Sequence, residues 1–235
     1  MRLDKYITQT FDIQSRNKAA ELIKANKVLV NNQIIKKPSF NVEGDENIQI
    51  IEEDFFVSRS AYKLKYFLED NTIDVQDKTA IDIGSSTGGF TQILLKNGIK
   101  SVTCVDVGTN QLHSSIKNDK RILIAENTDI RKFESNSQYQ VVTCDVSFIS
   151  ILNILEDIDR LSLNEIIILY KPQFEVGKDV KRDNNGVVLD LKAIEKERDL
   201  FIQATKKLNW KLQIANESKL AGKSGNIEEL FYFIK

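Results

Sequence analysis

Ala80-Ile81-Asp82-Ile83-Gly84-Ser85-Ser86-Thr87-Gly88-Gly89-Phe90 is the stretch of sequence that decides the fold of this chain. An apolar run leads into a turn of small residues, and a helical pattern follows from residue 90 to residue 97. Glycine lets the main chain approach a ligand closely because it has no Cβ, and the N–H groups at a helix start attract polar ligands. The stretch therefore predicts a strand, a glycine-rich turn and a helix around a nucleotide pocket.

A second apolar run, residues 102–105, is followed by Asp106, about twenty residues after the strand that enters the glycine-rich turn. In nucleotide-binding sheets an acid at this place accepts ribose hydroxyls. The glycines do not follow the G-x-G-x-x-G spacing, which excludes the dinucleotide fingerprint. The pattern D-x-G-x-x-x-G-G-F instead resembles the first motif of class I methyltransferases, which bind S-adenosylmethionine. A glycine-rich turn without a ligand is the alternative, because short glycine motifs recur widely.

The resemblance to that motif implies a set of cofactor contacts. Asp106 would bind the ribose, and Asp129, which follows the apolar run 122–125, would bind the adenine edge. Asp82 would be either a structural residue or a contact to the methionine end of the cofactor. The residues predicted to bind S-adenosylmethionine are Asp82, Gly84, Ser85, Ser86, Gly88, Gly89, Asp106 and Asp129.

From residue 58 onward, apolar runs of strand length alternate with helical patterns. This alternation predicts an α/β fold, a mostly parallel sheet with helices on both faces, and the motif resemblance makes it a Rossmann-like class I methyltransferase fold. Residues 174–187 are predicted to form one long polar loop. The predicted helices are Ser60–Glu69, Phe90–Asn97, Ile149–Asp159 and Leu191–Leu208, and the predicted strands are Thr79–Ile83, Ser101–Asp106, Ile122–Ala125, Val141–Asp145, Glu165–Leu169, Lys211–Glu217 and Leu230–Ile234.

The charge of the chain is distributed unevenly, although the total is close to neutral. Residues 1–42 contain eight Lys or Arg and three acids, a net charge of +5, whereas residues 43–56 contain six acids and no base. This abrupt change in net charge suggests a domain boundary. We predict an N-terminal domain over 1–53, a linker over 54–57 and a catalytic domain over 58–235. The positive charge of residues 1–42 favours binding to a ligand with a phosphate backbone. The alternative is that these charges form an ordinary solvated surface.

The N-terminal segment predicts two helices, a hairpin and a further strand, which form a small α+β unit. Ser15 is expected to cap the second helix, and Asn31-Asn32 to form the hairpin turn. With its R-L-D-K, S-R-N-K-A and V-L-V-N sequences, the unit resembles the αL RNA-binding motif first described in the fourth protein of the small ribosomal subunit. The resemblance implies contacts with the phosphates and shape of structured RNA, and a protein-docking module is the alternative. The predicted elements are the helices 2–9 and Arg16–Ala25 and the strands Val28–Val30, Gln33–Ile35 and Asn47–Ile51, and the predicted RNA-binding residues are Arg2, Lys5, Arg16, Lys18, Lys24 and Arg59.

Four polar residues stand at predicted strand or helix ends where an active site over the sheet would form, and each alone fits an ordinary surface or capping role. Their surroundings, S-R-S-A-Y-K-L, D-V-S-F-I-S, K-P-Q-F-E and S-G-N-I-E, occur in the order found in the TlyA family. Its members, named as hemolysins, resemble FtsJ-type ribosomal RNA 2′-O-methyltransferases joined to an αL motif. Asp54-Phe55-Phe56-Val57 replaces the R-x-W-V linker that family members often carry. The resemblance implies a catalytic K-D-K-E set at Lys63, Asp145, Lys171 and Glu228.

The implied chemistry is methyl transfer from S-adenosylmethionine to a ribose 2′-hydroxyl, in the shorter family type on a cytidine of large-subunit ribosomal RNA. We hypothesise that Lys171 is the base. A lysine has an unperturbed pKa near 10.4, so burial or a second cation, Lys63, would have to lower the pKa of Lys171. Asp145 and Glu228 would orient the amines and hold the hydroxyl. Only the G-N-x-E spacing selects Glu228 over Glu229, and strand alternation should turn these two side chains to opposite sides.

Two functions from other classes compete with this interpretation. A non-enzymatic ribosome-assembly factor would use the same fold for binding alone. A pore-forming hemolysin would need a membrane segment, and the sequence has no apolar run of about twenty residues. The start of the sequence has no apolar signal core, so the chain is expected to be cytoplasmic. Its two cysteines, Cys104 and Cys144, are expected to pack in the core rather than form a disulfide or a metal site. A monomer bound to ribosomal RNA, without membrane or metal, is the expected state.

Overall fold

The computed structural model describes residues 1–11, 13, 15–44, 46–50 and 56–235. The chain forms two compact units, Met1–Phe55 and Phe56–Lys235. Part of the predicted linker, residues 54 and 55, and Ile51 at the end of a predicted strand lie outside the described residues.

The first unit packs two helices against a small antiparallel sheet. Ser15 accepts the backbone N–H of Lys18 through its side chain, which confirms the predicted cap of the second helix. Asn31 and Asn32 have φ angles of 50° and 66°, and this left-handed pair closes the predicted hairpin. A small apolar core that includes Leu3, Ile7 and Ile23 joins the helices to the sheet. The elements are α1 (Leu3–Thr10), α2 (Arg16–Lys24), β1 (Val28–Val30), β2 (Gln33–Ile34) and β3 (Ile48–Ile50), with the strand order β2-β1-β3.

The second unit is built on a seven-stranded sheet. The strand order is β6-β5-β4-β7-β8-β10-β9, in which β10 runs antiparallel to both of its neighbours and the other neighbouring pairs are parallel. The elements are α3 (Arg59–Asn71), β4 (Thr79–Ile83), α4 (Gly89–Lys96), β5 (Ser101–Val105), α5 (Ser114–Lys117), β6 (Ile122–Ala125), β7 (Tyr139–Cys144), α6 (Leu155–Leu161), β8 (Ser162–Tyr170), α7 (Pro172–Glu175), α8 (Leu191–Lys207), β9 (Lys211–Glu217) and β10 (Glu229–Ile234).

Strand alternation divides the core of this unit into two layers. In β8, Ile167 and Leu169 pack with α3 and α4, whereas Ile166, Ile168 and Tyr170 pack with α6 and α8. The sheet therefore has helices on both faces, which confirms the predicted α/β fold. Cys104 and Cys144 are free and buried in these layers.

The structure corrects two of the predicted elements. The predicted helix Ile149–Asp159 is a 3-10 turn, Ile151–Asn153, followed by α6. The break arises because Ser150 accepts the N–H of Leu152 and donates its hydroxyl to Glu175, which anchors the turn separately. The start of the predicted loop 174–187 belongs to α7, a single helical turn with a proline in its first position, too short to show helical periodicity.

Aromatic rings fill the layer beneath α8. Phe231 is fully buried and its ring centroid lies 5.2 Å from that of Phe201 and 5.8 Å from that of Tyr170. We expect Phe231→Ala to lower the free energy of unfolding by about 3–5 kcal/mol, because it removes apolar burial and leaves a cavity. Leu163→Ala, on an exposed position of β8, should change it by less than about 0.5 kcal/mol. Urea unfolding followed by circular dichroism measures both, and equal losses would contradict the assignment of this layer as core.

Candidate active site

A pocket of about 460 Å³ opens at the carboxyl ends of β4, β5 and β7, where parallel strands bring their end residues together. Its size lies in the range of ligand pockets. Four of the predicted cofactor residues are among its lining: Gly84, Ser86, Asp106 and Asp129.

Gly84 and Ser86 of the glycine-rich turn line this pocket, and two glycines fix the shape of the turn. Gly84 has a φ of +77°, and a Cβ there would meet the carbonyl oxygen of Asp145 at 2.9 Å. Gly88 has a φ of +90°, and a Cβ there would overlap Ile116 and Leu112. Both positions therefore require glycine, because a side chain would be strained and would push neighbouring groups away.

Asp106 connects the turn to the end of β5. Its Oδ2 accepts the N–H of Ser86 at 2.8 Å, and its Oδ1 accepts the N–H of Gly108 at 2.7 Å. These two bonds hold the carboxylate at the pocket wall, where it can accept ribose hydroxyls. Asp129 also lines the pocket, and hydrogen bonds from Arg131 lower the pKa of Asp129 to about 2, so it is ionised at neutral pH.

The other four predicted cofactor residues are not among those that line the pocket. Asp82 is fully buried, and its carboxylate accepts hydrogen bonds from Thr91 and Thr143. Burial raises the pKa of Asp82 to about 6. Of the two roles predicted for Asp82, this position fits the structural one. Among the described residues, the pocket lining also leaves out Ser85, Gly88 and Gly89.

Sequence reasoning missed several residues of the pocket. Val107 and Gln111 belong to the loop after β5, and Val146 follows Asp145. No periodic pattern marks such loop positions in a single sequence, because their neighbours come from distant parts of the chain. Taken together, the glycine turn, the fixed carboxylate of Asp106 and the pocket volume fit S-adenosylmethionine.

A second cavity, of about 730 Å³, adjoins the pocket, and the two share Ser86, Asp145, Ser147 and Phe148. All four residues of the predicted catalytic set line this second cavity: Lys63, Asp145, Lys171 and Glu228. Residues far apart in the sequence therefore meet beside the predicted cofactor pocket.

The four side chains form two buried ion pairs. Lys63 Nζ lies 2.5 Å from Glu228 Oε2, and Lys171 Nζ lies 2.5 Å from Asp145 Oδ1. Burial raises the pKa of Asp145, and the charge of Lys171 opposes that effect. Each buried charge thus has a partner of opposite sign, which offsets the cost of taking it out of water.

Two polar side chains that sequence reasoning missed hold these pairs. Ser147 Oγ accepts a hydrogen bond from Lys171 Nζ at 3.0 Å, and Gln173 Nε2 donates to Glu228 Oε1 at 2.9 Å. Both lie in the D-V-S-F and K-P-Q-F sequences next to predicted residues, and that adjacency is the signal that could have found them. Glu229 turns away, as expected from strand alternation, and binds Arg198.

An exposed aromatic ring stands at the junction of the two cavities. Phe148 is 91% exposed, has a φ of 66°, and its ring lies 5.1 Å from that of Phe174. A bulky residue in the left-handed region carries strain, which persists where the surrounding structure or function requires it. The ring offers a face for stacking.

The predicted RNA-binding residues fall into separate groups. In the second unit, Arg59 lines the second cavity and donates to the carbonyl of Ala221 at 3.0 Å. In the first unit, Arg2, Arg16 and Lys24 line one cleft. Lys5 is exposed, and Lys18 forms an exposed ion pair with Glu21.

The described part of the chain offers neither a cluster of metal-ligating side chains nor a membrane-spanning helix. There, no group of three or more His, Cys, Asp or Glu side chains is placed to hold a metal ion. Within the same residues, none of the helices has the length and apolarity needed to cross a membrane.

Comparison with known proteins gives matches for both units. The family model of FtsJ-like methyltransferase matches residues 56–235, and that of the S4 domain matches residues 1–48. The chain is 46% identical to the 23S rRNA (cytidine-2′-O)-methyltransferase TlyA of Campylobacter jejuni, with full coverage of both chains. It is 34% identical to the 16S/23S rRNA (cytidine-2′-O)-methyltransferase TlyA of Mycobacterium tuberculosis, covering 99% of this chain and 88% of that protein. A solved structure of a hemolysin-named protein from Streptococcus thermophilus superposes with a TM-score of 0.71 at 30% identity, covering 100% of this chain and 88% of that one.

The position of Asp106 leads to a test of the cofactor pocket. Asp106→Asn would direct an NH₂ group at the N–H of Ser86 or Gly108, which misplaces the loop and removes a charged acceptor. We expect the Kd for S-adenosylmethionine to rise at least about tenfold, or about 1.4 kcal/mol, as measured by calorimetry. Asp119→Asn, which loses an ion pair with Arg121 outside the pocket lining, is the matched control. An unchanged Kd in Asp106→Asn would contradict the assigned role.

Proposed function

We propose a reaction for this chain from its membership of the FtsJ-like methyltransferase family, in the TlyA type with an N-terminal S4 domain. The reaction is methylation of the ribose 2′-hydroxyl of a cytidine in large-subunit ribosomal RNA, with S-adenosylmethionine as the methyl donor. The cytidine and the large subunit follow the name of the C. jejuni relative, which matches over the full length of both chains. The M. tuberculosis relative is named for both subunits, so small-subunit RNA has to be assayed in parallel.

The observation that carries this proposal is the meeting of two lysine–carboxylate pairs beside the cofactor pocket. Both pairs line the second cavity, and Asp145 also lines the pocket. A ribose hydroxyl is a weak acid, so its methylation requires a group that takes the proton and groups that orient the oxygen. The Lys171–Asp145 pair supplies the group that takes the proton, and the Lys63–Glu228 pair supplies the groups that orient the oxygen.

Each residue of the set has a proposed part in the reaction. When bound, S-adenosylmethionine supplies a methyl group on a positively charged sulfur. Lys171 takes the proton of the 2′-hydroxyl at a neutral Nζ, which forms when the ammonium of the ion pair passes its extra proton to Asp145, whose pKa is raised by burial. Asp145 and Ser147 also fix the direction of Nζ. Lys63 and Glu228 orient the hydroxyl from the other side, and Gln173 holds Glu228 in place.

The surroundings of the site support an RNA substrate. Phe148 offers a ring on which an unstacked base can lie, and base–aromatic stacking is tolerant of sequence. Arg59, Arg182 and Lys223 also line the second cavity, and their charges suit phosphate groups. An unstacked nucleotide could thus place its ribose over the two ion pairs.

We also propose that the protein works as a monomer in the cytoplasm. The pocket, the second cavity and both ion pairs are made by one chain, which supports a monomer. A ribosomal substrate would make the cytoplasm the place of action.

The role of Lys171 has a direct test. Lys171→Ala removes the proposed base, and we expect methyl transfer to fall at least 10²-fold while the Kd for S-adenosylmethionine changes less than about threefold. Transfer of labelled methyl groups to purified ribosomal subunits that lack the modification, followed by mapping of 2′-O-methyl sites, measures this. The control is Lys100→Ala, because Lys100 is exposed and immediately precedes β5. This variant should keep full activity.

Two results would overturn the proposal. Full activity in Lys171→Ala would remove that residue from the mechanism. Binding of the wild-type protein to subunits or precursors without any transfer would instead favour a non-enzymatic assembly factor.

The stacking role of Phe148 has a separate test. Stacking contributes about 1–3 kcal/mol per base, so Phe148→Ala should lower kcat/KM for subunits by about fivefold to 150-fold, while Phe148→Trp should keep most of it. Because Phe148 is exposed, neither change should lower the melting temperature. Equal kcat/KM values for the Ala and Trp variants would contradict a stacking role.

A further inference from the structure

In the first unit, one buried carboxylate joins Arg2, which immediately precedes α1, to Arg16 at the start of α2. The side chain of Asp4 in α1 is 6% exposed. Its Oδ1 accepts Arg2 Nε at 3.0 Å, and its Oδ2 accepts both Arg2 Nη2 and Arg16 Nη2 at 2.9 Å. The side chains of Arg2 and Arg16 are 52% and 55% exposed. Each guanidinium is therefore hydrogen-bonded to Asp4 while part of the side chain remains accessible to solvent.

The position of Asp4 is fixed by the backbone as well. The N–H of Asp4 donates to the carbonyl of Pro38, and its own carbonyl accepts the hydroxyl of Thr8. Hydrogen bonds from Arg2 lower the pKa of Asp4 to about 2, so the carboxylate stays charged under all physiological conditions. Asp4 is therefore a rigid, permanently charged anchor for both arginines.

The two guanidinium groups line a cleft of about 520 Å³ on this unit. Each arginine carries five N–H donors, most of which are not used by Asp4. Planar guanidinium donors match the oxygens of a phosphate group better than a single ammonium does. The remaining lining of the cleft adds a third cation and polar side chains, and consists of Asn17, Ala20, Lys24, Pro38 and Ser39 together with Asp4.

We propose that Asp4 is a positioning residue for RNA binding, which holds Arg2 and Arg16 as one fixed pair of guanidinium groups that binds a phosphodiester of the RNA backbone in this cleft. The inference rests on the proposed function, because it takes ribosomal RNA as the ligand. Arginine side chains lose rotamer freedom when they bind a ligand, and arginines that are already held lose less.

The direction in which one substitution changes the affinity for RNA distinguishes a positioning role of Asp4 from an effect of its charge alone. Asp4→Asn removes a negative charge, and charge alone would make this unit bind RNA more tightly. If Asp4 positions the arginines, the same change weakens binding although the net charge becomes more positive. The two explanations therefore predict effects of opposite direction.

Glu21→Gln is the matched control for this measurement. It makes the same change of charge in the same unit, but Glu21 is 69% exposed and pairs with Lys18 rather than with an arginine of the cleft. The probe is the purified large ribosomal subunit without the modification, and the readouts are the Kd of the full-length protein and the KM and kcat for methyl transfer.

We expect the Kd and the KM of Asp4→Asn to rise at least about fivefold, with kcat at saturating subunits unchanged. The slope of log Kd against log salt should fall by about 0.7–0.9, the value of one lost phosphate contact. Glu21→Gln should bind as tightly as the wild type or more tightly. A merely structural role of Asp4 would not separate KM from kcat in this way.

A second variant keeps the inference testable if Asp4→Asn lowers the melting temperature of the unit. Arg2→Lys with Arg16→Lys keeps every charge but removes the guanidinium groups, and we expect its Kd to rise about as much. Adding Asp4→Asn to this double variant should not weaken binding further, because no guanidinium pair is left to position.

The outcomes also separate this inference from the proposed function. Wild-type affinity in Asp4→Asn, or in the double lysine variant, overturns the positioning role, and so does a wild-type protein that does not bind the subunit. Weaker binding by Asp4→Asn in a protein that transfers no methyl group would support the positioning role and overturn the proposed function.

Discussion

The pairing of β4 with β7 is the constraint on which the rest of the second unit depends. The N–H of Asp145 donates to the carbonyl of Ile83 at 2.9 Å, which continues the ladder past the last paired residues, Ile83 and Cys144. Asp145 therefore leaves the sheet directly against Gly84, where a Cβ would meet its carbonyl oxygen. One register thus joins the glycine turn of the proposed cofactor pocket to an acid of the proposed catalytic set, and a shift of one residue would turn Asp145 to the other face.

Buried charge is the second constraint, because an unpaired charge in this position would cost several kcal/mol. Asp145 and Glu228 each face a lysine, and Ser147 and Gln173 supply further hydrogen bonds. Lys63 comes from α3, whereas its partner Glu228 lies immediately before β10. Assembly of the site therefore requires that α3 and the end of the chain pack on the same sheet.

Charge is used differently in the two units. In the second unit, lysines and acids are paired inside the protein, where the proposed reaction requires that their directions be fixed. In the first unit, Asp4 is buried but its arginines reach solvent, so the pair keeps donors for a ligand. Both arrangements hold long side chains in place before the substrate arrives, which lowers the entropy that binding has to offset.

The sequence by itself determined the periodic and local features: the strands β4 and β6, the cap at Ser15, the hairpin at Asn31-Asn32 and the α/β alternation. It also marked the glycine turn, because that motif is contiguous, and Asp106, because this acid lies at a known spacing from the motif. These features depend on neighbouring residues, whose patterns a single chain displays. The K-D-K-E set was implied by resemblance to a family, not by any pattern within this chain.

Only the tertiary structure decided which polar residues meet. Lys63 and Glu228 are 165 positions apart, and nothing in either local sequence specifies the other as a partner. The same holds for Asp4 and Arg16, and for Asp82, whose burial beneath Thr91 and Thr143 depends on packing of α4 and β7. Side-chain partners across long separations are set by strand register and helix packing, and these follow from the whole chain rather than from any segment of it.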